Sequence, residues 1–173
     1  HPRKNLAALR DAMAELVRRG LPHRLVLVAG PAPDRAEQAD LEAAATAPIP
    51  GTDEPVVNLA GMDDASVAAL MGGAAAFCLP SLMEGFGMAV AEAMACGAPV
   101  VVADAGALPE VVDGAGVVCE PTAAALAAAL HPVLTDPEVA ARMRARSLIR
   151  AQDFSWSAMG ARWCEALELA VAR

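Results

Sequence analysis

The stretch LPSLMEGFGMAVAEAMACGAPVV, residues 79–101, holds the end of one apolar run, a turn, an Ala-rich segment and the start of a second apolar run. The turn contains Pro80 and Ser81, which end a strand, and the segment GMAVAEAMACG that follows has the composition of a helix. The second run, APVVVAD, has the composition of a strand. This stretch therefore predicts a strand, a helix and a parallel strand in succession.

The same alternation continues on both sides of this stretch. Five strands are predicted, in the segments RLVLVAG (24–30), PVVNLAG (55–61), AAAFCLP (74–80), APVVVAD (98–104) and AGVVCEP (115–121). RLVLVAG, a continuous apolar run, is expected to be covered on both faces, and AAAFCLP to be buried. The last third, from Thr122 to Arg173, is predicted to be helical, with breaks at Pro132, Pro137 and Ser155. The predicted fold is one α/β domain over 1–173, a doubly wound, mostly parallel, Rossmann-like three-layer sandwich with a helical C-terminus.

Four further helices are predicted before the C-terminal region. The first follows Asn5, a predicted N-cap, and ends at Gly20, with an apolar stripe formed by Leu6, Leu9, Met13, Leu16 and Val17. A second is predicted near 35–45, a third in DDASVAALMGG (63–73) and a short fourth in LPEVVDG (108–114).

The composition limits the classes of function. The chain has 173 residues, of which 56% are hydrophobic and 20% charged, and this balance excludes wholesale disorder. Its net charge is -8 and its aromatic content only 3%, so nucleic acid is not an expected partner. The histidines, His1, His23 and His131, have no metal-ligand spacing, and we predict no structural metal.

The cysteines and the hydropathy pattern indicate a reduced, cytoplasmic protein. Cys78, Cys96, Cys119 and Cys164 have no CxxC spacing and are predicted to be free thiols. Residues 65–83 lack a charged residue, but glycines and a proline interrupt them, so we predict a helix, a turn and a strand there and no membrane span. The sequence shows no secretory signal, and a cytoplasmic location is expected.

The residues with clearest chemical potential lie in the turn of the opening stretch. If a helix starts near Gly87, the backbone N–H groups of Phe86, Gly87 and Met88 are free to bind an anion such as a diphosphate. Gly85 and Gly87 allow a ligand to approach the backbone closely. The acids Glu84 and Glu92, separated by seven residues, are each able to accept hydrogen bonds from hydroxyl groups, as in a ribose or a sugar.

A simpler interpretation of the same residues is also open. Glu84 and Glu92 would then be solvated charges near a helix start, and the glycines would only permit a turn. Against this, Glu92 lies in AVAEAMA, a segment expected to be buried, where a carboxylate needs partners.

At this point the motifs resemble a known family. PSLMEGFGMAVAEAMACGAPVV looks like the E-x7-E region of the family 4 retaining glycosyltransferases of GT-B architecture, in their C-terminal, nucleotide-sugar-binding domain. Four more segments agree with that family in order and spacing: PRKNL, VVNLAGMDD, AGALPEVV and DFSW. The resemblance covers essentially the whole chain.

The resemblance implies a role for each matching residue. Glu84 would contact donor-sugar hydroxyls, Glu92 would hold the ribose, and Lys4, the only lysine of the chain, would bind the diphosphate. The amides of Phe86, Gly87 and Met88 would cradle sugar and diphosphate. The further candidates for donor binding are Gly85, Ser81, and Gly61 and Met62 beside the nucleobase.

Some of these positions have a second interpretation. Lys4 would otherwise be an exposed terminal residue, and Met62 a core residue. Glu110, in the segment with Gly106 and Leu108, is predicted to cap the short helix, with donor binding as the alternative. Ser81 has no His or Asp neighbour in a triad-like pattern, so no covalent nucleophile is predicted.

The sequence also departs from the family pattern. The family's phosphate-binding Arg would lie five residues before Lys4, on a strand preceding His1, and Arg3 is not expected to replace it. We expect the family's first strand and its N-terminal, acceptor-binding domain to be absent from this chain, and the chain is therefore predicted to bind a UDP-sugar or GDP-sugar without transferring it alone. With that domain as partner, the resemblance implies metal-independent, retaining transfer of a hexosyl group to an unknown acceptor: a sugar, a lipid-linked or a small molecule. Membrane association of the full enzyme is not indicated.

Two other classes of function remain as alternatives. A dinucleotide-dependent oxidoreductase would need G-x-G-x-x-G after the first strand, and VAGPAPDRAE does not supply it. A non-catalytic Rossmann-like interaction module would keep the fold without the chemistry.

The cluster Arg142, Arg144, Arg146 and Arg150 is interpreted as a solvated helix face, with an anionic partner as the alternative.

Overall fold

A computed structural model describes residues 2–29, 49 and 56–171. Its strands are β1 (Val26–Ala29), β2 (Val57–Ala60), β3 (Phe77–Leu79), β4 (Val100–Ala103) and β5 (Val117–Cys119). Its helices are α1 (Leu6–Arg18), α2 (Asp64–Gly73), α3 (Met88–Ala95), α4 (Leu108–Val112), α5 (Ala123–Thr135), α6 (Pro137–Ala151) and α7 (Trp156–Val171), with 3₁₀ turns at Pro2–Lys4 and Gln152–Phe154. The helix predicted near 35–45 lies outside the described residues.

All pairings between the described strands are parallel. β1 pairs with β2, with Val26 opposite Val57, and β4 lies between β3 and β5. The alternation of strands and helices is the predicted one, but the expectation that β1 is covered on both faces is wrong for the described residues: Val26 and Val28 are 42% and 44% exposed. Of the described strands, only β4 is buried along its whole length. The described strands form two hydrogen-bonded groups, β1-β2 and β3-β4-β5, where one continuous sheet was predicted.

The core lies on both faces of β4, as a three-layer sandwich requires. Val101 packs in one cluster with α1 and α5, through residues such as Leu16 and Leu126, and Leu27 of β1 belongs to the same cluster. Val100 and Val102 pack in a second cluster with α3 and α4. The three valines of β4 are completely buried, and each contributes about 1.5–3 kcal/mol to stability.

The C-terminal region is helical, but one of its predicted breaks is wrong. Pro132 lies inside α5, which continues to Thr135 because its face containing Leu130 and Val133 remains packed in the core. Pro137 is the first residue of α6, and the Asp136 side chain caps that helix by accepting from the amide of Glu138 at 2.8 Å. Ser155 separates a 3₁₀ turn from α7, as predicted.

The arginine cluster is not a uniformly solvated face. The guanidinium of Arg144 donates to the carbonyls of Gly72, Ala74 and Gly97, at the ends of α2 and α3. Arg150 donates to the carbonyls of Glu110 and Val111, at distances of 2.7 and 3.0 Å. The prediction is therefore wrong for both residues, since free helix-end carbonyls give them structural partners. Arg142 and Arg146 are exposed, as predicted.

The four cysteines are free thiols, as predicted. Burial and the neighbouring Cys119 raise the pKa of the Cys78 thiol to about 12. The described residues contain no group of three or more His, Cys, Asp or Glu side chains placed to hold a metal ion. Across residues 2–29, 49 and 56–171, no helix is both long enough and apolar enough to cross a membrane.

Candidate functional site

The candidate site forms where the chain leaves β3, and the start of α1 is fastened to it. Asn5 was predicted to cap α1, but its side chain makes no capping bond, and its backbone is left-handed with φ 53°. Its amide Nδ2 instead donates to the carbonyls of Pro80, at 3.1 Å, and Pro121, at 2.9 Å. The amide of Leu82 donates to the carbonyl of Arg3 at 2.8 Å. These bonds hold Lys4 against the turn that follows β3.

Lys4 and Glu84 form an ion pair across this junction. The Lys4 Nζ lies 2.9 Å from Glu84 Oε1, and the side chains are 31% and 12% exposed. Burial by itself raises the pKa of the Glu84 carboxyl, but the hydrogen bond from Lys4, the nearby Ser81 hydroxyl and the charges of Lys4 and Arg3 outweigh it. The pKa of Glu84 therefore lies below its ordinary value, and the group is a carboxylate at neutral pH.

Ser81 lies directly beside this pair. Its side chain is completely buried, and its Oγ has no hydrogen-bond partner of good geometry within the described part of the chain. The hydroxyl is still close enough to Glu84 to lower the pKa of that carboxyl. A buried polar group without a hydrogen-bond partner costs stability.

The backbone turn after Glu84 exposes a set of free donors. Gly87 is the N-cap of α3, which confirms the predicted helix start, and its φ of 96° is a conformation that favours glycine. A Cβ on Gly87 would also come within 2.6 Å of Leu108 Cδ2. The amides of Phe86, Gly87 and Met88 donate to no acceptor in the described residues. Free N–H groups at a helix N-terminus attract anions.

The loop containing Gly106 and Ala107 packs against the backbone of Glu84, and this contact was not predicted from the sequence. The amide of Ala107 donates to the carbonyl of Glu84 at 3.2 Å, and Gly106, with φ 56°, lies so close that a Cβ there would overlap the Glu84 backbone. The only signal in the sequence was the glycine itself. Glu110 is exposed, and the N-terminus of α4 has no side-chain cap, so the predicted capping role of Glu110 is wrong.

The expectation that Glu92 is buried is wrong. α3 buries Val90, Ala91, Ala93 and Met94, which leaves Glu92 on its exposed side, and the Glu92 side chain forms no hydrogen bond or ion pair among the described residues. Although α3 is Ala-rich, only one of its sides packs in the core cluster with β4 and α4, so its other side faces solvent. Exposure leaves the carboxylate available to a ligand and also fits the simpler interpretation of a solvated charge.

The predicted nucleobase residues follow a strand of the other hydrogen-bonded group. Gly61, with φ 67°, and Met62 follow β2, which belongs to the other strand group. No hydrogen bond or ion pair of the described residues joins either of them to Lys4 or Glu84, so their role stays a prediction. Gly85 is exposed within the turn.

The described geometry suits a doubly charged anion that carries hydroxyl groups. The turn contains three free amides, at residues 86–88, and the Lys4 ammonium group is held at its start by Glu84. The Glu84 carboxylate is able to accept hydrogen bonds from hydroxyls. A neutral, apolar ligand would leave these groups unpaired.

Comparison with protein families gives a match over most of the chain. The model of the family described as "Glycosyl transferases group 1" matches residues 1–136. An MMP alpha-(1->4)-mannosyltransferase of Mycolicibacterium hassiacum is 39% identical over 71% of this chain and 31% of its own length. A phosphatidyl-myo-inositol mannosyltransferase of Mycolicibacterium smegmatis is 33% identical over 92% of this chain and 40% of its own length. The chain thus spans well under half the length of these relatives.

Solved structures share the fold. A sucrose-phosphate synthase from Thermosynechococcus elongatus superposes with a TM-score of 0.78 at 27% identity, over 99% of this chain and 43% of that protein. The Anabaena protein HepE, solved in complex with UDP-glucose, gives a TM-score of 0.78 at 26% identity, over 97% of this chain and 46% of its own.

Proposed function

Because the chain belongs to the group 1 glycosyl transferases, we propose that it is the donor-binding domain of a retaining hexosyltransferase, which binds a UDP-sugar or GDP-sugar. The observation that carries this proposal is the Lys4–Glu84 ion pair, at 2.9 Å, beside the free amides of the turn at residues 86–88. A cation and oriented amides suit the diphosphate, and the carboxylate suits sugar hydroxyls.

In this proposal the chemistry is one of positioning and charge stabilisation. Lys4 and the amides of Phe86, Gly87 and Met88 stabilise the negative charge that grows on the leaving diphosphate. Glu84 orients the hexose, and the Ser81 hydroxyl supplies a further hydrogen bond beside Glu84. Glu92 accepts hydrogen bonds from the ribose. Gly61 and Met62 lie beside the nucleobase. No metal ion is required, because the ammonium group and the amides supply the positive potential.

The acceptor side of the reaction is proposed to belong to another domain of the same GT-B protein. Two observations support a longer protein with a second domain: the relatives are more than twice as long as this chain, and α7 has no buried residue. The break between the two strand groups supports the prediction that a strand preceding His1 completes the sheet. The 173-residue chain by itself is then a donor-binding unit without turnover. A cytoplasmic location is proposed with it.

The test is a titration of the purified chain with UDP, GDP and NAD, followed by chemical-shift perturbation. We expect millimolar or tighter binding of UDP or GDP, with shifts at the amides of 86–88, and loss of that binding in Lys4→Met and Glu92→Ala. Glu165→Ala is the matched control, since Glu165 is an exposed helical glutamate outside the candidate site.

Each other outcome contradicts the proposal in a different way. Binding of NAD alone would favour an oxidoreductase, and no binding of any nucleotide would favour an interaction module. Equal loss of affinity in Glu92→Ala and Glu165→Ala would remove Glu92 from the site. Efficient multiple turnover by the chain alone, with donor and acceptor supplied, would contradict the need for a second domain.

A further inference from the structure

One aromatic contact links the candidate site to the C-terminal part of the chain. The rings of Phe86 and Phe154 meet edge to face, with centroids 5.6 Å apart and an interplanar angle of 89°. Phe86 lies in the turn whose amides are free, and Phe154 is the last residue of the 3₁₀ turn that precedes α7. Edge-to-face geometry is a preferred arrangement of two aromatic rings.

Phe154 is itself held firmly on its other side. The guanidinium carbon of Arg150 lies 4.8 Å from the Phe154 ring centroid, a cation–π contact. Arg150 also donates to the carbonyls of Glu110 and Val111 and to the carboxylate of Asp153, at 2.8 Å. Phe154 is partly buried against the core cluster formed by α3, α4 and β4. The ring is therefore fixed by packing and by an arginine that is anchored to the backbone.

Phe86 has less support of this kind. Its side chain is 40% exposed, and it belongs to neither core cluster of the described residues. It lies between Gly85 and Gly87, whose backbones have wide conformational freedom, so a fixed side chain between them restricts the turn. The direction of the amides at 86–88 depends on the backbone of this turn.

We propose that Phe154 is a positioning residue for the donor site, because its ring holds Phe86 and thereby the free amides of the turn in a geometry ready for a diphosphate. The proposal rests on the proposed function, since it assumes that a nucleoside diphosphate binds to those amides. Phe154 acts through Phe86 and touches no part of the ligand. Preorganised donors bind more tightly because less ordering is needed on binding.

The chain offers a matched control for the test. Phe77 packs against the same core cluster as Phe154 but makes no ring contact with Phe86. Phe77→Leu and Phe154→Leu are the same chemical change in the same cluster, so both are expected to lower the stability of the fold. Only Phe154→Leu removes the ring that faces Phe86, whereas Phe154→Tyr keeps it.

Dissociation constants of UDP and GDP are measured for the wild-type chain and the variants. Phe154→Leu is expected to weaken binding about 2- to 10-fold, the range set by the strength of one aromatic pair, while Phe77→Leu and Phe154→Tyr bind as the wild type does. Phe86→Leu weakens binding similarly, and Phe86→Leu/Phe154→Leu is no weaker than either single variant. Without ligand, Phe154→Leu shifts the amide resonances of Gly87 and Met88, and Phe77→Leu does not.

Three results would overturn the positioning role alone: wild-type affinity in Phe154→Leu, equal weakening in Phe77→Leu and Phe154→Leu, or additive effects in the double variant. A wild-type chain that binds neither UDP nor GDP would overturn the proposed function, and the positioning role with it.

Discussion

Glu84 connects stability and binding at the level of a single residue. Its carboxylate is mostly buried, and Lys4 compensates for the loss of solvent. Burial raises the pKa of Glu84, and the hydrogen bond and charge of Lys4, with Ser81 and Arg3, lower it further than burial raises it. The side chain that is proposed to meet the sugar is thus fixed before any ligand arrives.

This lowered pKa predicts a dependence of stability on pH. Because the pKa of Glu84 is lower in the folded than in the unfolded chain, its contribution is fully present above the unfolded value of about 4.5. The contribution is lost as the pH falls through the folded pKa. We expect the wild-type chain to exceed Glu84→Gln in free energy of unfolding by about 1 kcal/mol at pH 6, and this difference to shrink at pH 3. Urea unfolding at both pH values measures it.

The control for this prediction removes the partner of Glu84. In a Lys4→Met background the ammonium that lowers the pKa is gone, so Glu84→Gln should show a much smaller change of that difference between pH 6 and pH 3. A difference between wild type and Glu84→Gln that stays constant with pH would contradict the assignment of a lowered pKa.

Single residues also show where prediction from the sequence ends. The free amides at Gly87 were predictable, because a glycine at the start of an Ala-rich helix is a local signal. The bonds of Asn5 to Pro80 and Pro121 span 75 and 116 residues along the chain, so no local pattern indicates them. The exposure of Glu92 depends on which side of α3 packs, and composition does not reveal the side.

At the scale of elements, the apolar runs predicted every described strand. How far each strand is covered was less predictable, since β4 is completely buried and β2 alternates between half-buried and exposed residues. Helix ends were less predictable, because the partners of their free carbonyls come from distant parts of the sequence. Arg144 shows this directly: Nη1 donates to Gly72 and Gly97 at 3.1 and 3.2 Å, and Nη2 donates to Ala74 at 2.6 Å. One side chain thus joins the ends of α2 and α3 to α6.

Removal of this side chain is expected to destabilise the fold. Arg144→Ala leaves three carbonyls without their donor and should lower the free energy of unfolding by about 2–4 kcal/mol. Arg144→Lys keeps the charge but lacks the planar fork, so it should recover only part of the loss. Arg142→Ala is the control, because Arg142 is 61% exposed and makes only a 3.6 Å ion pair with Glu138. Denaturant unfolding distinguishes them, and equal stability of Arg144→Ala and Arg142→Ala would show that these bonds do not stabilise the fold.

At the scale of the whole molecule, the described residues form a core that is complete around β4 and a helix that is not part of it. The two core clusters cover both faces of β4, whereas α7 buries no residue. Trp156, Met159, Trp163 and Leu167 follow one another at intervals of three or four residues and therefore share a face of α7. They are 90%, 40%, 64% and 58% exposed. An exposed apolar face of this kind marks an interaction surface.

The isolated chain is therefore expected to self-associate through this face of α7. Burial of one Trp side chain removes about 150–250 Å² of surface from water and stabilises the associated form by about 4–6 kcal/mol. The loss of translational and rotational freedom on association costs about 4–15 kcal/mol. The balance is a weak, reversible association, visible in sedimentation velocity as a concentration-dependent sedimentation coefficient. Trp163→Ser/Leu167→Ser should make the chain monomeric, while Glu165→Ser/Glu168→Ser should not.

In a protein that also contains the proposed acceptor domain, Trp163 would be covered and its fluorescence shifted to shorter wavelength. Unchanged association of Trp163→Ser/Leu167→Ser would mean that a surface other than this face of α7 joins the copies.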